Sequence, residues 1–502
     1  MTSKYGKTEV QKLEPAEVWR LFAGIAAIPH ASKREERIRE HVRHVAEGHG
    51  LTVREDAKGN MVIDVPASPG CEAAPVTVLQ GHLDMVCEKN NVTEHDFDRQ
   101  GIHMVLDQDP ASGDQIVRAD GTTLGADNGI GVAMALAAAL TPEVMHGPLE
   151  LLLTVDEEAG MTGAKALTAD FFEGRRLLNL DSEEDDAIYI GCAGGADTTL
   201  TWDFAARPVE GGAETVRMVV SGLRGGHSGG DIHENRGNAN KLLVRALMRA
   251  GCDGLRLGSI SGGSKRNVIP REATAVVSGR PGALAELRRA ADQVRDEARL
   301  ESPEPDLAIS VDEVPAGEAP VMLTPKDTVV LLAALAALPH GVLGMSRDVP
   351  GLVETSNNVA TINTTSSDDG THLHIEVGAL SRSSSDSLMR VTCEQITAVG
   401  RLAGANVETG NTYPGWQPNM DSPVLATCRR VYEEIFAKPP GIAAIHAGLE
   451  CGIIGERVKG MDMVSFGPRI EGAHSPDERV YVASVKKSWE YLVAVLAELA
   501  RG

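Results

Sequence analysis

Two short stretches of this chain, 149–155 and 177–180, are near-continuous apolar runs rather than alternating ones. A strand of that kind has no polar face to give to water, so both of its faces must be covered. Helical patterns at 15–28, 35–48 and 130–140 supply the cover, and 76–79 is a further β-rich run ending in Gln80-Gly81-His82. Strand–helix alternation of this type predicts an α/β domain: a mixed, mostly parallel sheet with helices on both faces.

The middle of the chain follows another rhythm. From 216 the order reads strand (216–220), helix (238–250), strand (256–260), strand (273–278), helix (283–300), strand (306–311). A second pass follows, with helix 325–338, strands 358–364 and 371–380, helix 385–403 and strand 406–409. Each pass resembles a split βαββαβ, ferredoxin-like unit. After Gly410 the α/β pattern resumes. The expected organisation is a catalytic domain in two parts, 1–196 and 411–502, interrupted by a duplicated α+β lid domain at 197–410.

Composition removes several function classes. The 48 Lys and Arg stand against 71 Asp and Glu, a net charge of −23, and no basic stripe offers itself to nucleic acid. Aromatic residues make up 3%, too few for base-stacking platforms. The longest apolar-plus-glycine run, 129–140, is well short of the ~20 residues of a membrane span. The first residues, 1–11, are polar and lack the apolar core of a secretory signal. Seven cysteines, odd in number and without a C-x-x-C pair, suggest reduced thiols in a cytoplasmic enzyme.

Acidic residues and histidines sit where the strands end. His82-Leu-Asp84 follows the 76–79 strand, and alternation puts both polar side chains on one face. Asp127 lies in Leu124-Gly-Ala-Asp-Asn-Gly129, Glu157 and Glu158 in Asp156-Glu-Glu-Ala-Gly160, Asp181 after 177–180, and His474 in Gly472-Ala-His-Ser-Pro-Asp477. Open α/β sheets place ligand sites at the carboxyl ends of their strands. Singly, each signal has an ordinary structural explanation: a surface pair, a solvated strand end, a helix N-cap. Jointly, five such coincidences are less probable than one binuclear metal site. Gly226-His-Ser228-Gly-Gly230 also fits G-x-S-x-G, the nucleophile elbow, but an elbow needs an immediate helix and 231–237 is polar and loop-like.

These residues match a family. The chain resembles the M20 metallopeptidases, and within them the cytosolic aminoacyl-histidine dipeptidases, nearly end to end. The shared motifs are Pro15-Ala-Glu-Val-Trp-Arg-Leu-Phe, Ile28-Pro-His-Ala-Ser, Gln80-Gly-His-Leu-Asp-Met-Val and Thr123-Leu-Gly-Ala-Asp-Asn-Gly-Ile-Gly. Gly191-Cys-Ala-Gly-Gly, Gly225-Gly-His-Ser-Gly-Gly, His446-Ala-Gly-Leu-Glu-Cys-Gly and Gly472-Ala-His-Ser-Pro-Asp-Glu complete the set.

The resemblance implies two Zn²⁺ per chain, with Co²⁺ or Mn²⁺ as substitutes. One zinc falls to His82 and Asp181, the other to Glu158 and His474, and Asp127 bridges them. Two such cations carry +4 against −3 from the three carboxylates, a remainder that a bridging hydroxide neutralises. Glu157 becomes the general base and Asp84 the partner that sets the His82 tautomer. A cis peptide is expected after Asp127. In the insertion, His227 matches a donor to the scissile carbonyl, and Asn267 and Arg382 match residues that bind the substrate carboxylate. His233, His446 and Glu450 sit in matching motifs without an assignable role. The expected substrate is a small dipeptide of the Xaa-His, carnosine type. An N-acyl amino-acid deacylase, a broader aminopeptidase and a metal-free binding pseudoenzyme stay open, as does a homodimer.

Overall fold

The computed structural model describes residues 7–209, 212–251, 254–314 and 321–501. Cys252 and the first six residues therefore lie outside the described part. The chain divides into two compact units, one built from residues up to Gly191, Pro418–Ala444 and Leu449 onward, the other from Cys192–Gln417 and Ile445–Gly448.

The first unit is the expected α/β structure. Its eight strands lie in the order Thr52–Glu55, Met61–Val65, Leu149–Thr154, Thr77–His82, Arg176–Asn179, Asp462–Ser465, Ala187–Cys192, Gly441–Ile445. Leu149–Thr154, Thr77–His82, Arg176–Asn179 and Asp462–Ser465 run parallel, as their apolar runs require, and the first two of these are buried at every position. Helix Ala126–Leu140 is Ala-rich and buried almost all round, pressed between the sheet and helix Ala16–Ala26, whose Trp19 and Phe22 are fully buried. Gly131 permits that closeness: a Cβ there would stand 2.2 Å from the Leu180 carbonyl oxygen. A smaller four-stranded sheet holds Ile470–Glu471, Arg479–Tyr481, Gln115–Ala119 and Met104–Gln108 in that order.

The second unit carries two βαββαβ halves on one nine-stranded arrangement, but they do not follow each other. The first half, with strands Glu214–Ser221, Arg256–Gly262, Ala273–Gly279 and Ala308–Glu313, is contiguous in the chain. The second half takes Val353–Ser366, His372–Ser383 and Asn406–Tyr413, and its opening strand is Gly194–Ala205, which precedes the first half altogether. The reading of two successive passes is corrected in this respect: the first half is nested inside the second. The register explains why, since Gly194–Ala205 pairs along its whole length with His372–Ser383 and also with Asn406–Tyr413. Position 196 falls inside that strand. Among the described residues no helix is long and apolar enough to cross a membrane.

Candidate metal and catalytic site

Parallel strands in register end together. Gln80 pairs with Asn179 and His82 with Thr154, so the residues just past those ends share one edge of the sheet. His82, Asp84, Glu157, Glu158 and Asp181 all lie there. Helix Ala126–Leu140 starts beside them, its first turn broken by non-helical Asp127 and Asn128, and the Asp127–Asn128 peptide is cis as expected. Asn128 fastens that turn to two strands: its Oδ1 accepts from the His82 N–H at 3.3 Å, and its Nδ2 donates to the Leu180 carbonyl at 2.7 Å.

His474 arrives from the other end of the sequence. It sits in the loop between paired strands Ile470–Glu471 and Arg479–Tyr481, with φ of 62°, a conformation that a non-glycine residue rarely adopts. Its Nε2 lies 3.1 Å from Asp127 Oδ2 and 3.1 Å from Glu158 Oε1. On the opposite side His82 Nε2 lies 3.2 Å from Asp127 Oδ1 and 3.4 Å from Asp181 Oδ1. Asp127 thus presents one oxygen to each histidine. Glu158 Oε1 and Asp181 Oδ1 are buried, and each faces a histidine nitrogen without a well-aligned hydrogen bond.

The donor set fits two cations. Ligand atoms ~2.0–2.1 Å from a tetrahedral ion stand roughly 3.3 Å from each other. The observed separations of 3.1 to 3.4 Å match that edge length. One ligand atom each from His82, Asp127 and Glu158 lie within 4.8 Å of one another, and the mixture of imidazole and carboxylate suits zinc.

Glu157 and Asp84 adjoin this set. Burial, reinforced by the neighbouring carboxylates of Asp181, Glu450 and Glu158, pushes the Glu157 carboxyl well above the usual range despite His82. Burial opposes ionisation of Asp127 too, yet hydrogen bonds from His474 and His82 hold it well below its ordinary value. Asp84 accepts from the Glu157 N–H at 2.9 Å, the Glu158 N–H at 3.1 Å and the Ser32 hydroxyl at 2.7 Å. Its carboxylate is 3.5 Å from His82 Nδ1, whereas its backbone carbonyl accepts from that nitrogen at 3.0 Å. The Asp84 carbonyl and carboxylate thus both face His82 Nδ1, and the carboxylate also anchors the turn that carries Glu157 and Glu158.

The second unit gathers its own cluster. His227 Nδ1 accepts from the N–H groups of Gly229 and Gly230 at 3.3 and 3.1 Å. On the other side of the ring, Nε2 lies 3.4 Å from Arg382 Nη2, so the imidazole and the guanidinium stand side by side. The Tyr413 hydroxyl accepts from Arg382 Nη1 at 3.0 Å. Asn267 has an exposed side chain, and its carbonyl accepts the Ser228 N–H at 2.9 Å. Ser228 is followed by Ile232–Glu234, a short 3₁₀ turn, and the next helix starts at Ala239, so it stands on no strand–turn–helix elbow. His446 is buried; burial and the cationic neighbourhood of Arg382 push it down to about 3, and its Nε2 meets the Ser356 hydroxyl at 2.7 Å. His233 is exposed.

Two buried carboxylates carry no role from the sequence: Glu450, marked only by its motif, and Glu478, not singled out at all. Glu450 is fully buried in the first unit, where its Oε2 accepts from Gln80 Nε2 at 2.7 Å and from the Thr154 hydroxyl at 2.5 Å. Burial raises it to about 8. Glu478 meets the turn before Asp127, 351 residues earlier. The available signals were their places inside the motifs that hold His446 and His474.

The chain is 42% identical over 495 residues to the cytosol non-specific dipeptidase of Escherichia coli, covering 98% of this chain and 99% of that protein. It is similar to the crystal structure of aminoacylhistidine dipeptidase from Vibrio alginolyticus, with TM-score 0.86, 43% identity and coverage of 97% and 98% of the two chains. Aminopeptidase PepT from Bacillus cereus shares the fold, with TM-score 0.61, 17% identity and coverage of 97% and 99%. The model of Peptidase family M20/M25/M40 matches residues 78–498, and the chain is a peptidase that belongs to this family.

Proposed function

We propose that this peptidase hydrolyses unsubstituted dipeptides, favouring a C-terminal histidine, with two divalent cations, zinc first among them. The observation that carries the reading is Asp127, whose two carboxylate oxygens each face a different histidine, with Asp181 and Glu158 completing the two sides. His82 and Asp181 would hold one cation, Glu158 and His474 the other. When bound, the pair supplies Lewis-acid polarisation and a water acidic enough to ionise near neutral pH.

Glu157 takes the proton from the attacking water and returns it to the leaving amine; its raised carboxyl suits both halves of that task. Asp84 keeps the Glu157–Glu158 turn in place. Arg382 and Asn267 bind the substrate's carboxylate, the guanidinium being suited to a two-point grip. His227 donates to the carbonyl as negative charge develops on its oxygen. The histidine preference is supported by the Vibrio relative's name, and a cytoplasmic location by that of the E. coli relative.

The test is a hydrolysis panel on protein loaded with Zn²⁺, Mn²⁺ or Co²⁺ and on chelated protein. β-Alanyl-histidine and glycyl-histidine should be cleaved, while their C-terminal amides, N-acetyl-histidine and tripeptides should be poor substrates. Full activity after metal removal, or equal rates on the acetylated compound, would refute the reading.

A further inference from the structure

The loop that delivers His474 is slight: seven residues, 472–478, between two-stranded ends. Yet His474 must meet Asp127, which sits on another element, to within a few tenths of an ångström. The residue at the far end of that loop is Glu478, which is 2% exposed. Its carboxylate accepts from four consecutive backbone N–H groups: Leu124 and Gly125 on Oε2 at 2.7 and 3.0 Å, Ala126 and Asp127 on Oε1 at 2.8 and 3.3 Å. Gly125, with φ of 70°, turns its amide into that ring, and the four groups form a nest of the kind that ordinarily receives an anion. Here the anion is the protein's own.

We propose that Glu478 is a positioning residue that clamps the His474 loop to the Asp127 turn and so sets the geometry of the cation held by His474. The inference rests on the two-cation reading above. Its reasoning is one of unequal support. His82 is fully buried at a strand end, with Nδ1 fixed by the Asp84 carbonyl at 3.0 Å and its own N–H fixed by Asn128. His474 has a side chain 53% exposed. Around it the loop is closed by local bonds, Ser475 Oγ to the Gly472 carbonyl at 2.7 Å and the Asp477 N–H to Ser475 Oγ at 3.2 Å. Those bonds shape the loop but do not attach it to Asp127. Glu478 is four residues from His474 and holds the Asp127 N–H itself. Loss of its charge therefore frees the His474 loop, whereas the Asp127 turn that both sides share keeps the Asn128 bonds to the His82 N–H and the Leu180 carbonyl.

Glu478→Gln tests this with shape nearly conserved, because one amide nitrogen would then face N–H donors. Asp477→Asn, one residue away, serves as control. Metal-free protein is titrated with Zn²⁺ by calorimetry, and the melting temperature of each metal-free variant is recorded. In the wild type and in Asp477→Asn, two binding steps are expected. In Glu478→Gln one step should weaken by ~10–100-fold while the other stays near wild type. A merely structural defect would weaken both steps together, and that result overturns the proposal. So does a Glu478→Gln titration that superimposes on wild type. If Glu478→Gln does not fold, Glu478→Asp is read instead: it keeps the charge but shortens the reach, and should show the same one-sided weakening to a smaller degree, with wild-type binding again overturning the proposal. Wild-type protein that takes up no cation refutes the dipeptidase reading and this inference with it, whereas two wild-type steps with an unaltered variant refute the inference alone.

Discussion

Replacing Asp84 by asparagine removes one charge and one acceptor from a side chain that is 1% exposed. The three donors it now satisfies are two backbone N–H groups, at 2.9 and 3.1 Å, and the Ser32 hydroxyl at 2.7 Å. In the best orientation the new amide nitrogen takes the place of Oδ1 and faces the Glu157 N–H, leaving that buried donor unpaired at a cost of ~1–3 kcal/mol. The other two hydrogen bonds survive without charge assistance, and each loses roughly half its strength. Together these amount to about 3 kcal/mol, or a fall of roughly 6–12 °C in the melting temperature of a unit this size. The same unpaired N–H releases Glu157, and a displacement of ~1 Å at a catalytic group costs on the order of 10²-fold in kcat. Melting in the presence of a chelator separates the structural loss from metal binding, and steady-state hydrolysis of glycyl-histidine reads the catalytic one. An Asp84→Asn protein with wild-type melting and wild-type kcat would show that this carboxylate anchors nothing.

Glu157→Ala should lower kcat by ~10²–10⁴-fold with metal content near wild type, whereas Glu158→Ala should lose metal; atomic absorption beside kinetics decides, and the reverse pattern would exchange the two roles. Arg382→Ala should raise KM for free dipeptides by roughly 10–100-fold, the worth of a charge-assisted pair, while leaving the slow cleavage of a C-terminal amide unchanged. Burial pushes the Glu450 carboxyl up to about 8 from an ordinary 4.5, so the folded state binds its proton more tightly than the unfolded state does. Its penalty is absent below pH 4.5, grows as pH rises through that value, and levels off above about 8. Glu450→Gln should accordingly flatten that slope and raise the stability of metal-free protein at pH 9, as read by denaturant unfolding; an unchanged pH profile would mean that the carboxyl is ionised throughout.

Much of this was legible because the relevant signals are local. The run at 149–155 had to be a covered strand whatever its partners, and the acidic and histidine residues at strand ends inherit their convergence from parallel pairing. What the sequence did not disclose depends on pairing at a distance. A glutamate in Gly472-Ala-His-Ser-Pro-Asp-Glu carries no mark of the four amides it will meet. The same holds for Tyr413 beside Arg382. The strand Gly194–Ala205 is a different case, since its buried positions alternate through Ala196, Thr198, Leu200 and Trp202. That periodicity was present, but a strand so placed reads as the end of one domain rather than as the first strand of another half.

The nesting of the two halves bears on how the chain is made and how it came to be made this way. Arg207 pairs with Met322 and Pro208 with Val321, so the chain leaves for the inner half and returns from it at one point. A segment whose ends already touch is the kind that a gene can acquire or lose at a single locus without rethreading the host. On the ribosome the order has a cost. The inner half is complete once residue 313 has emerged, while Gly194–Ala205 must wait for His372–Ser383, on the order of 10 s at ordinary synthesis rates. During that interval the strand lacks its partner, and an unpaired edge is open to pairing with another chain.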